Sequence, residues 1–128
     1  MATKRKSPAK RSRSRSALML RIYLGDDLRL GPGKIRLLEL IGDSGSISAA
    51  GRAMGMSYRR AWVLVNEMNS AFRTPVVAAA HGGRQGGGAT VTPFGRDIVE
   101  RYHDLSAKAA HAAAPHIAVL QSALKRPG

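Results

Sequence analysis

Residues 47–64 read ISAAGRAMGMSYRRAWVL, and two helices joined by a tight turn account for each position. The stretch from Ile47 to about Met54 is short and built from small residues, with Ser46 before it as an N-cap. Gly55 supplies a left-handed turn residue, and Ser57 caps a longer helix that runs to about Phe72. Gly51 falls where the two helices cross most closely, and anything larger than a small side chain would push them apart. Ala50, Met54, Met56, Ala61 and Leu64 occupy the buried positions of such a pair. In the longer helix, Ala61, Leu64, Val65, Met68 and Phe72 recur at steps of three and four, leaving Arg59, Arg60, Val63, Asn66 and Ser70 on the opposite face.

Upstream, Leu18, Leu20, Ile22 and Leu24 alternate with other residues, the period of a half-buried strand, with a short helix as the alternative. Gly25, Asp26 and Asp27 are turn formers, and Leu28 and Leu30 resume the alternation as a hairpin partner. Gly31, Pro32 and Gly33 open a helix that Lys34 to Asp43 continues, with Ile35, Leu38 and Ile41 as its buried stripe. Downstream, Pro75 stops the long helix, Val76 to Ala80 reads as a strand, and Ala89 to Val91 as its partner. His81 to Gly88 between them holds five glycines with Arg84 and Gln85, and a basic glycine loop joining two strands behind a helix pair is the layout of a winged helix. Thr92 and Pro93 begin a long helix with Phe94, Ile98, Tyr102, Leu105, Ala109 and Ala113 on one stripe. Pro115 is expected to kink or break it, with Ile117, Leu120 and Leu124 extending the stripe beyond. The predicted fold is mainly α with a small β component: a winged helix-turn-helix over residues 17–92 and a C-terminal dimerisation helix over 93–124.

Charge indicates the partner. The 128 residues carry 21 Lys and Arg against 8 Asp and Glu, a formal +13, so a polyanion is expected and double-stranded DNA leads. Seven of those charges lie in residues 1–16 with no acid, a Ser, Lys and Arg tail predicted to be disordered and to act as a counterion-releasing arm. The tail lacks the apolar core of a signal peptide and the amphipathic period of a transit peptide, and no apolar run suits a membrane span. Cysteine is absent, which removes disulfides and thiolate chemistry and makes a reducing, intracellular setting the expectation. Helix-turn-helix docking puts the start of the longer helix in the major groove. Ser57, Tyr58, Arg59 and Arg60 are therefore the leading readers, joined by Ser46, Asn66 and the wing residues Arg84 and Gln85.

Rival chemistries fit less well. Gly42 to Gly45 spells the Gly-Asp-Ser-Gly of a serine-protease nucleophile, but every His lies downstream in a chain too short for two barrels. The glycine runs lack the Gly-Lys-Ser/Thr ending of a phosphate loop. His103 and His111 share a helix face without the third ligand that zinc wants. Trp62 is read as a core or hinge-packing residue and left out of the base readers. No enzymatic activity, metal or cofactor is expected.

The run GSISAAGRAMGMSYRRAWVLVNEMN (45–69), followed by GGRQGGGATVTPFG (82–95), resembles the N-terminal DNA-binding domain of the ModE family of molybdate-responsive transcription regulators, itself distantly similar to LysR-type regulators. The resemblance covers about Leu20 to Leu105. It implies a homodimer placing two recognition helices and two wings on a palindrome-like operator. Full-length relatives also carry molybdate-binding domains with a Thr-Ser-Ala-Arg-Asn type motif, which these residues lack, so a stand-alone reading head without direct oxyanion sensing is expected. Two alternatives remain: a low-specificity architectural or RNA-associated protein, suggested by the Ser-Pro-Ala-Lys of the tail, and a modulator that heterodimerises with a full-length relative.

Overall fold

A computed structural model describes residues 17–80 and 88–126. The basic tail and Arg84 and Gln85 of the expected wing lie outside them. The chain is mainly α with a small β component, in the order β1 (Ile22–Leu24), β2 (Leu28–Leu30), α1 (Pro32–Ser44), α2 (Ile47–Ala53), α3 (Tyr58–Ala71), β3 (Val77–Ala79), β4 (Ala89–Val91) and α4 (Pro93–Ser122). Residues 20–105 form one compact unit, and the described residues 17–19 and 106–126 belong to a second. Among the described residues no helix is long and apolar enough to cross a membrane.

In the first unit, β1 and β2 pair antiparallel with Ile22 opposite Leu30 and Leu24 opposite Leu28, and Gly25 turns the chain at φ 62°. The strand expected from Leu18 onward begins only at Ile22. Its partners run out there, because the residues after Leu30 lead into α1 and Pro32 has no N–H to give a ladder. Leu20 is held instead by its carbonyl, which accepts a hydrogen bond from the Tyr102 hydroxyl at 2.6 Å.

α1 starts at Pro32 and ends at Gly45, whose φ of 72° makes the left-handed cap. It is the central helix, packed against α2, α3, β2 and β4. For that reason Leu37 is as buried as the expected stripe of Ile35, Leu38 and Ile41. α2 and α3 close over it around Gly51 and Gly55. A Cβ at Gly51 would lie 3.0 Å from the Ala61 Cβ, and Gly55 has φ 73°. A side chain at Gly51 would therefore push Ala61 aside by a few tenths of an ångström, and the Gly55 backbone angle is one that other residues rarely adopt.

β3 and β4 form the second antiparallel pair, Val77 opposite Val91 and Ala79 opposite Ala89. Asn69 on α3 fastens this ribbon: its Nδ2 donates to the Val77 carbonyl at 2.9 Å, and its Oδ1 accepts from Val76 N at 2.7 Å and Val77 N at 3.2 Å. Thr92 fastens the other end. Its Oγ1 donates to the Pro75 carbonyl and accepts from Gly95 N, so it caps α4 and ties that helix to the ribbon at once. Gly95 sits directly against the ribbon, and a Cβ there would run into the Val76 carbonyl oxygen.

α4 does not end at Pro115 as expected. The proline forfeits one backbone hydrogen bond, but His111, whose carbonyl loses its donor, is exposed, as is Pro115 itself, so water can take the freed group. The start of α4 joins the first unit's core through Phe94, which meets Phe72 edge-on at 5.4 Å, and through Ile98, Val99 and the buried Tyr102. In the second unit, Ala110, Ala114, Ile117 and Ala118 flank a shallow cavity with Ala17 and Leu18, while Val119, Leu120 and Leu124 are exposed.

Candidate nucleic-acid interface

The candidate surface begins with two helix starts. Ser46 caps α2 by accepting from Ala49 N at 2.9 Å, and Ser57 caps α3 by accepting from Arg60 N at 3.0 Å. Both hydroxyl oxygens hold backbone, and each keeps a proton to donate outward. Tyr58, Arg59 and Arg60 follow Ser57 in the first turn of α3, all exposed. Asn66 is exposed two turns on, in line with Arg59, the half-buried Val63 and Ser70. Ala61, Leu64, Val65 and Met68 are buried beneath them. The inner face of α3 is thus wholly spent on the core and its outer face carries donors.

The sequence that builds these helices and the ribbon is poor in acid. Between Gly45 and Arg96 the sequence has six arginines (52, 59, 60, 73, 84 and 96) and a single acid, Glu67. That acid pairs with Lys34 at 3.3 Å. The other seven acids lie in residues 26–43 and 97–104. Of these arginines, Arg52, Arg59 and Arg60 stand exposed on α2 and α3, whereas Arg96 donates to the Val91 carbonyl and lines a pocket with Glu39, Asp43 and Glu100. Exposed arginines attract phosphates and offer planar, two-pronged donors for guanine edges or backbone oxygens.

Two residues of this surface were missed from sequence. Arg52 is exposed on α2, its guanidinium donating to Ser48 Oγ at 3.0 Å. Trp62 is not the core residue expected: it is 47% exposed and, with Tyr58 (56%), lines an open groove of about 260 Å³ between α3 and the β3–β4 ribbon. Large aromatic residues are usually packed away, and that bias misplaced Trp62. Its position one turn after Tyr58, off the stripe of Ala61 and Leu64, was the available sign.

The rival motifs resolve into local structure. Ser44 Oγ bonds back to the Ser46 backbone at 3.1 and 3.2 Å, a turn at the end of α1. Lys34 donates to the Arg29 carbonyl at 3.0 Å as well as pairing with Glu67. His103 Nε2 lies 2.7 Å from Glu39 Oε2, tying α4 to α1 within the first unit. Among the described residues no three His, Asp or Glu side chains gather as a metal site.

No family model matches the chain. Part of it is similar to several curated proteins. The molybdenum-pterin-binding protein MopB of Rhodobacter capsulatus is 47% identical over 79 residues, 62% of this chain and 29% of that protein. The molybdenum transport protein ModE of Azotobacter vinelandii is 43% identical over 76 residues, 59% of this chain and 28% of its own length. The DNA-binding transcriptional dual regulator ModE of Escherichia coli K12 is 39% identical over 85 residues, 66% of this chain and 32% of its own. The chain therefore matches about three tenths of the length of these relatives.

Proposed function

We propose that this protein is a ModE-like transcription regulator whose winged helix-turn-helix reads duplex DNA sequence-specifically. The observation that carries the reading is the outer face of α3, where Arg59, Arg60 and Asn66 stand exposed over a helix whose inner face is fully packed. The similarity to proteins described as DNA-binding regulators points the same way. Ser46, Ser57 and Tyr58 contact backbone or base edges around those three, and Arg84 and Gln85 reach the neighbouring phosphates or minor groove.

The protein acts as a homodimer on a two-fold related site, joined through the helical region 93–124. Phe94 and Ile98 are packed on the chain's own core, whereas Leu105, Val119, Leu120 and Leu124 remain exposed. Exposed apolar residues on a long helix are the chemistry of a helix–helix contact. Such a protein works in the cytoplasm on the nucleoid.

Selection from a pool of random duplexes with the full chain tests the reading. Enrichment of one two-fold related sequence, bound at least about a hundredfold more tightly than unrelated duplex at moderate salt, is the expected result. Equal affinity for all duplexes would support low-specificity architectural binding instead.

A further inference from the structure

The groove beside α3 has a composition unlike the rest of the charged surface. Its lining includes Tyr58, Trp62 and Asn69 from α3 and Ala78, Ala79 and Gly88 from the ribbon, and among the described residues no charged side chain lines it. Its aromatic wall stands on the ribbon side of α3, next to Arg59 and Val63, and Asn66 of the outward line also borders it. Neither the Trp62 indole N–H nor the Tyr58 hydroxyl has a hydrogen-bond acceptor among the described residues.

We propose that this groove seats the sugar-phosphate backbone of one DNA strand, with Trp62 Nε1–H and the Tyr58 hydroxyl donating to phosphate oxygens. The proposal rests on the DNA-binding reading above, adds Trp62 to it and assigns Tyr58 to a phosphate. When the outer line of α3 faces the floor of a major groove, the flank toward the ribbon faces the strand that borders that groove. Aromatic rings suit the apolar face of a deoxyribose, while their N–H and O–H edges suit a phosphate. The small side chains of the ribbon let a backbone come close. The exposed Arg59 and Arg60 of the same helix bring the anion there, and the neutral donors then fix its position. Contacts of this kind set the register of the reading helix and carry no sequence information themselves.

Two consequences separate this role from base reading and from charge. Removing an uncharged donor should weaken all duplexes alike, and it should leave the slope of affinity against salt unchanged, because no counterion-releasing cation is lost. The test uses the full chain, the duplex enriched by selection and an unrelated duplex of equal length. Each is titrated with wild type, Trp62→Phe and Tyr58→Phe, and thermal melts establish that the variants fold.

Trp62→Phe keeps a ring but lacks the N–H, and it should bind both duplexes about tenfold more weakly at an unaltered salt slope. Single methylphosphonate replacements along the strand should reveal one phosphate whose loss costs wild type about as much and costs Trp62→Phe nothing further. Wild-type affinity in Trp62→Phe overturns the proposal. So does a loss confined to the enriched duplex and abolished by replacing its thymines with deoxyuridine, which would make Trp62 a base reader. Failure of wild type to bind any duplex overturns the DNA reading itself.

Discussion

The two longest helices, α3 and α4, use their surfaces in opposite ways. α3 hides a complete apolar face, Ala61, Leu64, Val65 and Met68, and shows arginines, an amide and two aromatics with polar tips. α4 is more than twice as long, yet only Gly95 and Tyr102 are fully buried along it, and near its end Val119 and Leu120 are exposed. A helix with a finished core and a basic outer face is ready for a charged ligand. A helix that leaves Leu120 68% exposed has apolar surface still to cover. On the proposed reading, the contrast divides the labour between recognition on α3 and assembly on α4.

Substitutions at four positions sharpen that division. Gly95→Ala should have the largest effect, because its Cβ meets the Val76 carbonyl and lies 2.8 Å from a Val91 methyl, forcing α4 off the ribbon. We expect a loss of about 3 kcal/mol in denaturant unfolding, at the upper end of overpacking costs. Asn69→Ala removes three hydrogen bonds and leaves the Val76 N–H without a partner, which should cost about 2 kcal/mol. Asn69→Asp, which keeps the acceptor and loses the donor, should recover part of it. If either change left stability intact, the ribbon would owe its position to something other than α3.

Leu120→Glu addresses assembly. It should weaken self-association measured by sedimentation at least about tenfold, roughly 1.4 kcal/mol, and lower the melting temperature only at concentrations where wild type is dimeric. A wild-type monomer at micromolar concentration would remove the assembly half of the comparison. The smallest effect is expected at the exposed Arg101–Asp97 pair, 3.1 Å apart on α4. Arg101→Ala should change stability by no more than about 0.5 kcal/mol, the ordinary worth of such a pair.

The parts of this architecture that were legible in the sequence are those fixed by local constraint. Gly51, Gly55, Ser46 and Ser57 each answer a requirement of a helix crossing, a turn or a cap, and those requirements lie within a few residues of one another. The exposure of Arg59, Arg60 and Asn66 followed from the same helical period. What escaped reading depends on distant partners. Leu37 is buried because α1 is covered on several sides, which a one-stripe pattern does not express. Asn69 looks like one more surface amide until the chain returns with Val76 and Val77 to meet it. Trp62 was misplaced because residue type outweighed its position on the helix. Pro115 was overrated as a breaker, since a helix exposed at that point can leave the freed carbonyl to water.

The central claim is that the outer face of α3 reads DNA, and the measurement that meets it most directly is the specificity ratio of Arg59→Ala and Arg60→Ala. Each variant and wild type would be titrated against the enriched duplex and an unrelated one at a fixed salt concentration, with melts on the same samples. Each substitution should weaken binding to the enriched duplex by about 1 to 3 kcal/mol, narrow its advantage over the unrelated duplex, and leave the melting temperature nearly unchanged. An undiminished ratio, or a loss of binding matched by a loss of stability, would contradict it.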